Sequence, residues 1–330
     1  MNFLKFIYLC LLRLVPPSQK KKALVIYIMS FSFNDGNLIE RLAETYKSQF
    51  VVFFSENSKE QAQQLMAKGI QVLPYTKNQL LQKNGISYLK QAHTILVDNY
   101  FAELAVLSFR YQPRVIQLWH AVGAIKKFGW EDPLNHERSL SDQRRFQQVY
   151  DTLTDVVVSS EAMAQVFMDS YHVSPDVIRY LGFPKVDALF QRPYGLQKVA
   201  ANKAILYAPT YRIDVEAMKG VVEAAIRVFA QFPQKNFLLK LHPSVQLTEH
   251  LLAKNIQQTT QPLEILFDQA DVLITDYSAT VFEFIVKRPQ AKVIFFAPDL
   301  MIYKQAPGIN ELFENNLPGP LAQNEQTLYR

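Results

Sequence analysis

The segment Trp119-His120-Ala121-Val122-Gly123-Ala124-Ile125-Lys126-Lys127 sets a histidine at the end of an apolar run, with two lysines a short loop further on. An imidazole titrates near neutrality and can take a proton from a reacting group, and neighbouring ammonium groups can hold phosphate. A histidine beside a tryptophan is also what a packed residue looks like, so this stretch alone supports either reading. His242 is followed by Pro243, which biases it away from helix and fixes an extended exit from the run that ends at Leu241. Arg212, at the end of Tyr207-Ala208-Pro209-Thr210-Tyr211-Arg212, could clamp a phosphate through its planar fork or simply pair with Asp214 or another surface acid.

The most informative stretch is Asp271 to Phe284, where an apolar run ends in Asp276-Tyr277-Ser278 and passes directly into a helical pattern. A helix start presents unpaired N–H groups and a positive dipole end, and Ser278 and Thr280 can add hydroxyl donors, so an anion fits there. Thr280 and Glu283 also read as a capping box, with the threonine capping the helix and the glutamate reaching back. The chain holds no Gly-x-Gly-x-x-Gly fingerprint, Walker loop or His-Glu-x-x-His pair, and its histidines (93, 120, 136, 172, 242, 250) lack metal-ligand spacing. Neither a metal nor another cofactor is expected.

The elements that must position these residues are legible as short Val- and Ile-rich runs between helical stretches. Strands are expected at Ala23–Met29, Phe50–Phe54, Ile70–Leu73, Thr94–Asp98, Val115–Leu118, Asp155–Ser159 and Val177–Leu181, with helices at Asn37–Lys47, Lys59–Lys68 and Ala102–Tyr111. After the turn signals of Arg192-Pro193-Tyr194-Gly195 the pattern restarts, with strands at Ala204–Ala208, Asn236–Leu241, Asp271–Thr275 and Val293–Phe296 and a long helix near Asp214–Phe232. This alternation predicts an α/β chain with two open parallel sheets, divided at about residue 190. Several of the polar clusters above fall at the carboxyl end of a strand, where such sheets bind ligands.

Composition narrows the class. At 330 residues, 49% hydrophobic and with one cysteine, the chain can fill two cores but cannot build a disulfide framework or a cysteine-rich metal site. Residues 1–150 carry 19 Lys and Arg against 11 Asp and Glu, net +8, while 151–330 carry 16 against 19, net -3. A basic first half suits an anionic surface, although solubility alone also explains it. The run Phe3 to Val15, followed by Pro16, Pro17 and Lys20-Lys21-Lys22, falls short of the ~20 apolar residues a bilayer span needs and lacks a small-residue cleavage site. It reads either as an in-plane anchor with lysines at acidic headgroups or as a terminal helix docked on its own domain. Nucleic-acid binding is disfavoured, because no aromatic platform or recognisable module accompanies the basic residues.

Six segments occur in order: Trp119-His120 with Lys126-Lys127, Gly182-Phe183-Pro184-Lys185-Val186-Asp187, Tyr207 to Arg212, Leu241-His242-Pro243, Thr275-Asp276-Tyr277-Ser278 and Leu317-Pro318-Gly319-Pro320. In this combination the chain, from about residue 20 to 330, resembles the CDP-glycerol:glycerophosphate glycerophosphotransferases, the teichoic acid primases and polymerases. The resemblance implies a GT-B arrangement of two Rossmann-like domains facing across a cleft: a possible membrane-associating segment at 1–22, an acceptor and membrane-facing domain at 23–190 and a nucleotide-binding domain at 191–330. It implies transfer of glycerol phosphate from CDP-glycerol to a lipid-linked (undecaprenyl diphosphate disaccharide) acceptor with release of CMP, by a peripheral enzyme at the cytoplasmic face of the bacterial membrane. By matching motif positions, His120 becomes the base on the acceptor side, and His242 and Arg212 contact the pyrophosphate. Ser278 and Thr280 complete a phosphate cradle that Lys126 and Lys127 assist, while Asp276 and Glu283 orient that loop or meet ribose hydroxyls.

The compact plan favours a primase over a polymerase or a CDP-ribitol ribitolphosphotransferase, and a GT-B nucleotide-sugar glycosyltransferase would share the fold. Ala121-Val122-Gly123 and Tyr211-Arg212-Ile213-Asp214 depart from the family's commonest Gly-Thr-Pro and Trp-Arg-Asp-Asp, which bears on the choice of acceptor and alditol. A C-terminal helix expected of the family would be missing after Leu317 to Pro320.

Overall fold

The computed structural model describes residues 3–17, 24–82, 85–107, 111–191, 204–212, 214–242, 245, 247 and 252–330. The lysine triplet 20–22, the turn signals at 192–195, and Pro243, Ile213 and His250 lie outside the described residues. The chain forms two compact units, residues 1–122 with 128–188 and residues 123–127 with 189–330.

The first unit is a sheet of seven strands: β1 (Leu24–Met29), β2 (Phe50–Phe54), β3 (Val72–Pro74), β4 (Ala92–Val97), β5 (Arg114–Gln117), β6 (Asp155–Val158) and β7 (Ile178–Tyr180). They run parallel in the order β3-β2-β1-β4-β5-β6-β7. All six residues of β1, Leu-Val-Ile-Tyr-Ile-Met, are buried, as expected of a central parallel strand covered on both faces. Register pairs Val25 with Phe50 on one side and with Thr94 on the other, so strand order reverses between β1 and β4. The expected helix at Ala102–Tyr111 is instead a 3₁₀ turn over Ala102–Val106, with residues 108–110 outside the described set.

The second unit repeats the plan with six parallel strands: β8 (Ala204–Tyr207), β9 (Asn236–Leu239), β10 (Ile256–Gln258), β11 (Ala270–Thr275), β12 (Lys292–Phe296) and β13 (Leu321–Ala322), in the order β10-β9-β8-β11-β12-β13. The reversal here lies between β8 and β11. Helix Val215–Phe229 starts at Asp214, whose carboxylate accepts from Glu216 N and Ala217 N, and buries Met218, Val221, Val222, Ala225, Ile226 and Phe229. A short helix, Glu325–Tyr329, follows β13.

Residues 123–127 join this second core. Ile125 is buried in it, Asn310 donates its side-chain amide to Ala124 O and Lys126 O, and Asn310 N donates to Ile125 O. Gly123 backs onto Phe282 so closely that a Cβ there would stand 2.3 Å from the ring, which only glycine permits.

The N-terminal helix Phe3–Leu14 is docked on its own unit through one face. Tyr8, Leu9 and Leu12 are buried against the rest of the first unit, whereas Leu4, Ile7, Leu11 and Leu14 form an exposed stripe at helical spacing that no described residue buries. The buried Lys90 ammonium accepts the role of C-cap, donating to the carbonyls of Leu12 (2.8 Å), Arg13 (3.1 Å) and Val15. Among the described residues no helix is long and apolar enough to cross a membrane.

Candidate functional site

In the first unit the site forms where β1, β4 and β5 end. Trp119, two residues past β5, adopts φ 66°, an uncommon and costly conformation for a bulky residue. Its ring is held among His120 (centroids 4.3 Å apart), Phe128 (4.5 Å) and Phe167 (5.1 Å), which over-determines the turn. His120 is thereby brought beneath Phe31, with the two rings stacked at 4.0 Å and 11°. Its Nδ1 lies 3.0 Å from the main-chain oxygen of Asp98. A carbonyl only accepts, so Nδ1 carries the proton and a neutral imidazole keeps its lone pair on Nε2, as a general base requires.

Asp98 directly follows β4 and is buried. Its carboxylate accepts from Ser30 N (2.7 Å), Ser30 Oγ (2.7 Å) and Phe31 N (2.9 Å), fixing the loop after β1. Burial raises its pKa to about 6, with these hydrogen bonds pulling the other way.

In the second unit the loops after β8, β11 and β12 build a compact ionic centre. Arg212 is buried, and its guanidinium donates to both oxygens of Asp299 (2.8 and 2.9 Å), to Asp276 Oδ2 (2.6 Å) and to Thr210 O (2.5 Å). The fork that sequence reading offered to a phosphate is filled by these two carboxylates. Burial disfavours the charged arginine, but the Asp299 bond and the Asp276 charge outweigh it and drive the pKa further up. Asp299 feels burial upward and Arg212 downward, and ends below its ordinary value.

Tyr277 stacks on Tyr303 at 3.8 Å and donates to Asp299 at 3.2 Å, so the pair floors the arginine. Asp276 also accepts from Thr210 N (2.8 Å) and Tyr277 N (2.6 Å), which orients the loop. The Thr210 hydroxyl is buried with no partner among the described residues.

Around this centre stand the remaining candidates. The Lys126 side chain is exposed overall, yet its ammonium lies over the Tyr303 ring, 5.8 Å from the centroid. Desolvation lowers its pKa, with Asp276 opposing and Arg212 reinforcing the shift. Lys127 is tied through its backbone N–H to Gly308 O. His242 is exposed and its ring meets Tyr211 at 4.3 Å.

Helix Thr280–Lys287 begins one residue earlier than the capping box requires. Ala279 is the N-cap, no side chain caps the helix, and Thr280 is its first residue. Ser278 Oγ instead donates to Thr280 Oγ1 at 2.8 Å and accepts from Thr280 N at 3.3 Å, which places both hydroxyls at the helix start. Glu283 lies in the first turn. His120 thus belongs to one unit and the other sequence candidates to the second. Sequence reading missed Asp98, Phe31, Asp299, Tyr303 and Asn310; for Asp98 and Asp299 the signal was present, since each carboxylate follows the end of an apolar run. Among the described residues no cluster of His, Cys, Asp or Glu could hold a metal ion.

A family model described as CDP-Glycerol:Poly(glycerophosphate) glycerophosphotransferase matches residues 9–330. The teichoic acid glycerol-phosphate primase of Bacillus subtilis (strain 168) is 28% identical over 326 residues, covering 94% of this chain and 83% of that protein. The primase of the same name from Bacillus spizizenii (strain ATCC 23059 / NRRL B-14472 / W23) is 33% identical over 239 residues, 68% of this chain and 61% of that one. Among solved structures, the wall teichoic acid polymerase TagF superposes with a TM-score of 0.70 at 18% identity, covering 98% of this chain and 82% of that chain. This likeness agrees with the two Rossmann-type sheets expected from sequence.

Proposed function

Because the chain belongs to the CDP-glycerol:poly(glycerophosphate) glycerophosphotransferase family, we propose that it is a glycerol-phosphate primase of teichoic acid synthesis. It takes CDP-glycerol and a lipid-linked disaccharide (undecaprenyl diphosphate) and releases CMP. The acceptor hydroxyl gives its proton to Nε2 of His120 while its oxygen attacks the β-phosphorus. A new P–O bond forms, the anhydride bond to CMP breaks, and CMP leaves with that bonding pair. Charge on the phosphoryl oxygens is met by the start of helix Thr280–Lys287, the hydroxyls of Ser278, Thr280 and Thr210, His242 and the Lys126 ammonium.

Arg212 acts one step back: by holding Asp276 and Asp299 it fixes the loops that carry these donors. The observation that carries the reading is the His120 Nδ1 bond to the Asp98 carbonyl, which makes Nε2 the basic nitrogen. The protein works at the cytoplasmic face of the membrane, where Leu4, Ile7, Leu11 and Leu14 enter the acyl boundary and the net +8 first half meets anionic headgroups.

CMP release from CDP-glycerol with a synthetic lipid-linked disaccharide, read with product mass, tests this. A product heavier by one glycerol phosphate is expected, with His120→Ala slower by at least ~100-fold and CDP-glycerol affinity within twofold of wild type. Turnover of CDP-ribitol alone, repeated addition to a primed acceptor, or a glycosidic product from a nucleotide sugar would each replace the primase assignment.

A further inference from the structure

The two units repeat one construction at the point where strand order reverses. In each, the residue directly after the fourth strand of the sheet, β4 or β11, is an aspartate that accepts backbone N–H groups from the loop after the first, β1 or β8. Asp276 shares its charge with Arg212. Asp98, 1% exposed, has no cation paired with it among the described residues and is met by the Ser30 and Phe31 donors and its own main-chain N–H. A buried carboxylate without a counter-charge works against folding, so its presence calls for a reason other than stability.

The geometry supplies that reason. The loop that Asp98 gathers carries Phe31, whose ring lies on His120, and the main-chain oxygen of Asp98 receives the His120 Nδ1–H. One residue therefore sets both the plane of the imidazole and its tautomer.

We propose that Asp98 is a positioning residue for His120: its carboxylate holds the Ser30–Phe31 turn against the ring while its carbonyl fixes the proton on Nδ1. The inference deepens the reading of His120 as the base and rests on it. The groups facing Asp98 are Ser30 and Phe31 from the loop after β1, Tyr27 on β1, and His120 after β5; Asp35, further along the first loop, also acts on Tyr27. With its pKa held up to about 6, Asp98 is ionised at pH 7.5. Protonation removes an acceptor from the turn, so turnover falls as pH drops through about 6.

The test uses the full chain with Asp98→Asn and, separately, Phe31→Leu. Nitrogen-15 imidazole spectra report the tautomer, with the His120 signal identified by its loss in His120→Gln. The wild type should show the Nδ1–H form, and both variants should move toward the Nε2–H form that free histidine favours in water. Turnover should fall by about tenfold or more in each, with KM for CDP-glycerol within twofold, and the acid limb of kcat should become shallower in Asp98→Asn, reduced to the one proton that His120 itself takes up.

An unchanged tautomer in both variants, with an acid limb in Asp98→Asn as steep as in the wild type, would overturn the proposal. If Asp98→Asn does not fold, Phe31→Leu decides, since Phe31 is partly exposed and its loss leaves the carboxylate in place. A wild type that releases no CMP defeats the reaction assignment instead, and the imidazole spectra still decide the role of Asp98.

Discussion

Asp98 and Arg212 show how the same burial has opposite consequences depending on the charges around it. Arg212 is buried between two carboxylates, and the three charges stabilise one another; removing the arginine would strand Asp276 and Asp299 side by side in a desolvated site. Asp98 lacks such a partner among the described residues, and its folded pKa of about 6 stands above the ordinary 3.8. Between those two values the folded state binds the proton more tightly than the unfolded one, so stability falls as pH rises through that window and levels off above it. The ionised Asp98 therefore costs about 3 kcal/mol at pH 8, two units at about 1.4 kcal/mol each, less whatever its hydrogen bonds lose on replacement. Asp98→Asn should melt no lower than wild type at pH 8 and lose most of the pH dependence of Tm between pH 4 and 6; calorimetry across that range checks it, and an undiminished slope would place the titration elsewhere. A variant that is no less stable yet slower marks a residue kept for function. The aspartate was legible in the sequence only as the last residue of an expected strand, because a carboxylate's partners come from another strand's loop 67 and 68 residues away.

At the scale of elements, the strands were the most readable part of the molecule. Phe50–Phe54 has the bounds expected from its sequence, and the other expected strands overlap their observed counterparts, because β-branched and aromatic runs buried on two faces leave little choice. The edges were harder. β10, Ile-Gln-Gln, and β13, two residues long, carry no periodicity and exist through pairing with β9 and β12. The 3₁₀ turn at Ala102–Val106 and the Ala279 cap were misjudged for a related reason: local composition fits a full helix or a threonine cap, and tertiary contacts with neighbouring elements decide otherwise.

For the N-terminal helix, the proposed attachment to a membrane rests on the face that is left open. Ile7→Glu with Leu11→Glu should abolish sedimentation with vesicles containing anionic phosphatidylglycerol while leaving Tm nearly unchanged, since both positions are exposed. Lys90→Met should instead lower stability by roughly 1–3 kcal/mol, because three carbonyls at the helix end lose a charged donor. Retained vesicle binding by the double variant would assign attachment to another surface.

Across the whole molecule, the two-sheet plan was visible in the recurrence of strand runs, but the membership of residues 123–127 was not. Sequence reading keeps Gly123 to Lys127 with the histidine loop that precedes it, since nothing in five residues announces that Ile125 fills a core built mostly from residues after 203. The second unit is consequently discontinuous in the chain. A fragment starting at Leu189 would leave Asn310 without its carbonyl acceptors and the Ile125 position empty, so residues 189–330 expressed alone should be aggregation-prone. A linked or added peptide spanning 121–128 should recover soluble, cooperatively melting material; full solubility without it would argue that the strap is dispensable.

During synthesis this arrangement also imposes a sequence of events. The first unit can close once residue 188 has left the ribosome, while the five strap residues must wait uncovered until Asn310 and its neighbours emerge more than a hundred codons later. A nascent chain halted in that interval would carry a finished first sheet with one short tether, the Ile125 side chain included, still unclaimed, a natural target for chaperone capture.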